Sequence, residues 1–383
     1  MRGAPGERAA GDEQRVVAQV CLPPRPPGTF PAAALIPPCL SLSSSVQAGG
    51  IFSRDATQNP GFAGANQVYI GYCSSDAWMG NTEQWGFQFR GQSILAATLA
   101  QLQSNYGLGA GHQVLLAGCS AGARGVLVNL DNVAAALPGV EVRGLLDSGL
   151  WVDAQPSDPS TTESLMEETQ QVYAWANAGA LIPADCAAMY SGTPWYCLFG
   201  QYRIHFVQTP YFASESQFDS FLLTYNLGGE TPRYGFQVTY ADTLQQDVSA
   251  MMSALPAAGQ SDSGVFSSTC LLHCTTNGPD YYTVKVGTQS LASAVQAWFF
   301  QDAGRQQIIS GCQGWSCNSQ CKGEEEPALQ GGANGNGGGG LRGPPGPLHP
   351  GQYQLDPNSS EPWQEQLAQA RKAAAAQAPQ QQG

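Results

Sequence analysis

The chain has 383 residues, 42% of them hydrophobic and 9% aromatic, which is enough apolar material for a substantial core. Its formal net charge is −13 and it carries only 16 lysines and arginines, so it lacks the clustered cations that binding to a phosphate backbone demands, and nucleic acid is not an expected partner. No run approaches the roughly 18 consecutive apolar residues that span a bilayer, and no membrane helix is expected.

Residues 1–45 mix charge with a PPRPP stretch and show no periodicity, which reads as a segment outside the fold, disordered or wrongly assigned. The opening MRGAPGERAAGDEQRVVAQV lacks the apolar core of roughly 7–15 residues that a signal peptide requires. Val68, Ile70 and Tyr72 alternate as a strand, and Ile94 to Leu102 carries helical spacing. Residues Val114 to Asn129, VLLAGCSAGARGVLVN, then give an apolar strand run, a Gly-x-Ser-x-Gly turn and an amphipathic helix. That order makes a nucleophile elbow: Gly118 and Gly122 let strand and helix approach, and Ser120 is pushed out at the corner. The backbone N–H of Ala121, at the helix start, is placed to stabilise a developing oxyanion.

Beyond the elbow, Val140 to Leu146 reads as a strand and Glu163 to Ala176 as a helix capped from among Ser160, Thr161 and Thr162. Phe206 to Phe212 reads as a strand, and Leu244 to Leu255 and Leu291 to Phe300 as helices. Strands alternating with helices predict an α/β domain with a mostly parallel sheet over residues 46–322, whose ligand sites lie at the carboxyl ends of its strands. Residues 323–383 are Gly/Pro-rich and then Ala/Gln-rich, a low-complexity tail that includes the sequon Asn358-Ser359-Ser360.

A serine hydroxyl becomes a useful nucleophile when a histidine takes its proton, and on this kind of fold the chain order is Ser, acid, His. Three histidines follow Ser120. His349 lies in the tail, His205 precedes a strand, and His273 sits in a loop after the apolar VFSSTCLL segment, which makes it the candidate base. For the acid, Asp219 is favoured over Asp147 because the orienting carboxylate comes from a later strand. The eleven cysteines point to disulfides and an oxidising compartment. Bridging of Cys270 with Cys274 would fix the histidine loop, disulfides are favoured over zinc for Cys312, Cys317 and Cys321, and Cys119 is the candidate unpaired thiol.

With these residues in hand, the stretches NQVYIGYCSSDAWMGN, WGFQFRGQSIL, VLLAGCSAGARGVLVNLDNV, RGLLDSGLWVD, TPYFASESQFDS and CLLHC resemble the pectin acetylesterase family, whose animal branch is the Notum carboxylesterases. The resemblance implies an α/β-hydrolase fold, a Ser120, Asp219, His273 triad, no cofactor and no metal. It implies a secreted carboxylic ester hydrolase acting on an acetylated polysaccharide or another acyl ester, with two competing readings: a Notum-like protein O-acyl carboxylesterase, or an inactive glycan-binding homologue; a monomer is expected. Two departures stand out. Ala123 replaces the last glycine of the family's GxSAGG elbow, and the family's Gly-rich GGGWC-type segment, source of further oxyanion N–H groups, has no counterpart before Val68 beyond Gly49-Gly50.

Overall fold

The structure is a computed structural model that describes residues 15–20 and 49–322, apart from 234, 257–259, 261 and 301–305. His349, Asn358 and the low-complexity tail lie outside the described residues. The central sheet has seven strands: β1 (Arg15–Val20), β2 (Asn66–Tyr69), β3 (Gln113–Cys119), β4 (Glu141–Asp147), β5 (Tyr211–Ser214), β6 (Gly264–Ser267) and β7 (Gln306–Ile309). Their spatial order is β7-β6-β5-β4-β3-β1-β2 and every pairing is parallel.

Helices cover both faces, as a parallel sheet requires. They are α1 (Gly91–Tyr106), α2 (Ala121–Ala136), α3 (Leu165–Ala176), α4 (Ser220–Asn226), α5 (Gly235–Ser253) and α6 (Leu291–Phe299). The strand period of two sorts each strand between two cores. On β3, Val114 and Leu116 pack with residues of α1, α2 and α5, such as Leu95, Val126 and Leu244, while Leu115 and Ala117 face the other core with Val295 and Trp298 of α6. The GVLVNL run of α2 is buried on nearly every side because the helix lies between the sheet and the segments after β4.

Three differences from the sequence reading have physical causes. The segment assigned outside the fold contributes β1, which lies between β3 and the edge strand β2 and pairs Val16 with Val114 and Val20 with Gly118; RVVAQV is a short apolar strand whose proline-rich and charged flanks mask it. The cap of α3 is Ser164 and not one of Ser160, Thr161 or Thr162: its hydroxyl accepts from the Glu167 N–H while Glu167 reaches back to the Ser164 N–H, a reciprocal capping box. The expected strand at Phe206 to Phe212 begins only at Tyr211, because Ile204–Phe206 forms a 3-10 turn. None of the helices among the described residues is long and apolar enough to cross a membrane.

Candidate active site

In a parallel sheet all carboxyl ends point the same way, so side chains that follow different strands gather at one edge. Ser120 follows β3, Asp219 follows β5 and His273 follows β6. Ser120 stands at the corner between β3 and α2 with φ 56° and ψ −123°, outside the regions an L-residue prefers. The corner closes because Gly118 has no side chain: a Cβ there would sit 2.3 Å from the carbonyl carbon and oxygen of Gly122. The Ser120 N–H donates to the Asp147 carbonyl at 2.8 Å, and the Ser120 carbonyl accepts from the Arg124 N–H at 3.0 Å in the first helical turn. Ala121 is the first residue of α2, and N–H groups of a first turn have no acceptor within their own helix. The Ala123 departure is accommodated across the corner, where a Cβ on Gly149 would come within 2.5 Å of the Ala123 methyl.

Asp219 is fully buried and is the N-cap of α4: one carboxylate oxygen accepts from the Leu222 N–H at 2.8 Å, and the other meets His273 Nδ1 at 2.7 Å. The imidazole is also packed at 5.2 Å against the Phe221 ring, which stacks on Trp151 at 5.2 Å; the Arg124 guanidinium lies 4.7 Å over Trp151. Burial opposes charge on His273, but the Asp219 charge, the hydrogen bond to it and the more distant Asp147 charge prevail and raise its pKa above the ordinary histidine value.

Asp147, the last residue of β4, does not meet the imidazole through a hydrogen bond but holds the chain just after it. It accepts from the Thr275 hydroxyl at 2.9 Å and from the Thr276 N–H and hydroxyl, each at 2.7 Å. Burial raises the Asp147 pKa even against these donors. Glu215, directly after β5, is buried beside Asp219; burial and then the Asp219 charge push its pKa well up, while the Leu150 N–H donates to it at 2.9 Å. His205 lies in the 3-10 turn before β5, with its pKa lowered to about 4 by burial.

The cysteine expectations are corrected here. Cys119 is not free: it is bonded to Cys274, so the residue before Ser120 is joined to the residue after His273 across a separation of 155. Cys274 therefore does not pair with Cys270, which is itself disulfide-bonded. Cys186 pairs with Cys197, and Cys312 with Cys317. The crosslink, with Cα atoms 5.5 Å apart, confines the Cα atoms of Ser120 and His273 to within about 13 Å of each other. It also places a ring nitrogen of His273 within 4.8 Å of the Cys119 sulfur. Cys119, His273 and Cys274 are the metal-capable cluster among the described residues, but sulfurs joined to each other offer no thiolate. Asp147 was legible as a candidate at the sheet end, but Phe221, Glu215 and the Cys119–Cys274 bond were not; the available hint was the symmetry of Cys119-Ser120 and His273-Cys274.

A largely buried serine at a strained elbow, 8% exposed, and a carboxylate-bound imidazole on a loop tied to it can together support acyl transfer. The fold agrees with solved relatives. A crystal structure of the Wnt deacylase Notum from Drosophila superposes with a TM-score of 0.68 at 24% identity, covering 82% of this chain and 92% of that one. Among curated relatives, palmitoleoyl-protein carboxylesterase NOTUM of Drosophila melanogaster is 33% identical over 267 residues, 65% of this chain and 38% of its own length. Notum1 of Xenopus laevis is 33% identical over 270 residues (66% and 53%), and human NOTUM 30% identical over 267 residues (65% and 51%). The chain thus spans roughly two fifths to just over half of these relatives. The profile described as pectinacetylesterase matches residues 41–322, which carry the elbow, the acid and the histidine loop; the chain belongs to the pectinacetylesterase family.

Proposed function

We propose that this chain is a serine carboxylic ester hydrolase that removes short acyl groups, acetyl above all, from an extracellular polysaccharide. The observation that carries the reading is the 2.7 Å contact between His273 Nδ1 and Asp219 on a loop bound to the Ser120 elbow. With Nδ1 engaged by the carboxylate, Nε2 is the nitrogen left to take the Ser120 proton. Ser120 attacks the ester carbonyl, the Ala121 N–H supports the oxyanion, and His273 returns the proton to the leaving alcohol. Water, activated by the same imidazole, then frees the acid from the acyl-enzyme. No step calls for a metal or cofactor.

A second oxyanion donor belongs beside the elbow, where β1 ends opposite Gly118. The short acyl group is supported by the family profile, which is described as pectinacetylesterase. The disulfides favour an oxidising, extracytoplasmic location. The curated names of the relatives favour a second reading, hydrolysis of a long acyl ester on a protein.

Hydrolysis of p-nitrophenyl acetate and p-nitrophenyl palmitate by the purified chain, beside Ser120→Ala, tests this. The reading predicts higher kcat/KM on the acetyl ester and loss of both activities in the variant. Preference for the long chain favours the second reading. Absence of hydrolysis by the folded protein sinks both and leaves a glycan-binding homologue.

A further inference from the structure

The chain spends a covalent bond on a junction that hydrogen bonds alone serve elsewhere in the site. We propose that the Cys119–Cys274 disulfide is the positioning clamp that sets the spacing of Ser120 and His273, and that opening it with a dithiol stops ester hydrolysis while the sheet stays folded. This rests on the reading of Ser120 as nucleophile and His273 as base.

Cys119 is the last residue of β3, fully buried and in register with Asp147 of β4, so its end of the bond is anchored in the sheet. The other end is under strain. Cys274 has φ 68°, a left-handed conformation uncommon for a residue other than glycine, and its N–H donates to the Ser148 hydroxyl at 3.1 Å. Ser148 itself has φ 56° and Ser120 φ 56°, so three strained residues lie where the strand ends and the histidine loop meet. Strain of this kind persists only where the surroundings over-determine it.

The remaining restraints on His273 reach it from other directions. Asp219 and Phe221 fix the ring relative to α4, and Asp147 fixes Thr275 and Thr276 relative to β4. These govern orientation, whereas the disulfide joins the imidazole's loop directly to the nucleophile's strand. In the reductive step a dithiol gives two electrons and two protons to the sulfur–sulfur bond, leaving two cysteine thiols and the cyclic disulfide of the reagent. Cys274 is half-buried, so the bond is approachable from its side. Once it opens, Cys274 is free to leave its left-handed conformation and carry His273 off the serine.

The test compares the full chain with Cys119→Ala/Cys274→Ala and with Cys186→Ala/Cys197→Ala, a disulfide in a separate aromatic cluster. Each is assayed for kcat, KM and pH dependence on p-nitrophenyl acetate and for its circular dichroism. The clamp predicts a fall in kcat of about 10²-fold for the first pair, the cost of a misplacement near 1 Å, with KM and the acidic limb of the profile held. The second pair keeps wild-type kcat. A second measurement needs no variant: wild-type protein is titrated with dithiothreitol and alkylated, and the opening of each disulfide is read by peptide mass. Activity should fall in proportion to opening of Cys119–Cys274 and return on reoxidation. Full kcat with that bond absent or open overturns the clamp, whereas full activity in Ser120→Ala or His273→Ala overturns the ester-hydrolase reading beneath it.

Discussion

Asp219 performs two tasks with one carboxylate: an oxygen caps α4 through Leu222 and its twin holds His273. Asparagine caps helices about as well as aspartate, so Asp219→Asn keeps α4 and removes only the charge and the acceptor at Nδ1. The variant should fold normally and lose kcat by roughly 10²–10⁴-fold, because the imidazole no longer holds the needed tautomer. Neutral His273 is the active form and its pKa stands raised chiefly by Asp219 against burial, so wild-type kcat/KM should climb with pH through a value above the ordinary histidine pKa of roughly 6.5. In Asp219→Asn that limb should move to lower pH, and an unmoved limb would show that another group controls it. The meeting of Asp219 with His273 was legible in the sequence because chain order and the scarcity of histidines narrow the choice. The partner of Cys119 could not: the short spacing of Cys270 and Cys274 suggests a local bridge, while the true partner lies 155 residues away, a distance that only the convergence of strand ends explains.

The strand–elbow–helix unit was readable because its signals are local: an apolar run for β3, small residues at the corner and a helical stripe for α2. The demand on Gly118 is a matter of contact. Its backbone is not in the left-handed region, but a methyl there would press on the Gly122 carbonyl at 2.3 Å, and backbone at a tight corner has nowhere to yield. Gly118→Ala should therefore destabilise by about 3 kcal/mol or more, the upper end for overpacking, measured by urea unfolding. A change below about 1 kcal/mol would mean that the corner is looser than described. Local signals also account for the misplaced start of α3. Several Ser and Thr residues precede it, and both Ser160 and Ser164 have a Glu three positions on; the Ser160 hydroxyl turns to Asp158 and the capping box closes at Ser164 with Glu167. The reverse held for β1 and β7, short strands whose identity comes from long-range pairing and from flanks that disguise them.

For the whole molecule, the apolar content of the sequence forecast a substantial core but not where its buried titratable groups collect. His273, Glu215 and Asp147 sit together at the carboxyl end of the sheet, each with its pKa raised: burial leads for both acids, and the Asp219 charge overcomes burial for the histidine. Groups that hold protons more tightly when folded contribute stability that is complete below their unfolded pKa values, roughly 4 for the acids and 6.5 for the imidazole, and that is lost as pH rises through the folded values. The melting temperature should accordingly fall from about pH 5 to pH 8, and Glu215→Gln should flatten the fall. A melting temperature that rises over this interval would contradict the buried cluster. Placing these groups, Ser120 and a reducible bond at one edge is the design on which the functional account depends. The most direct test is to treat the oxidised chain with a fluorophosphonate and map the adduct by peptide mass: the account predicts phosphonylation at Ser120, greatly slowed in His273→Ala. An adduct on another residue, or ester hydrolysis that persists with Ser120 unmodified, would contradict it.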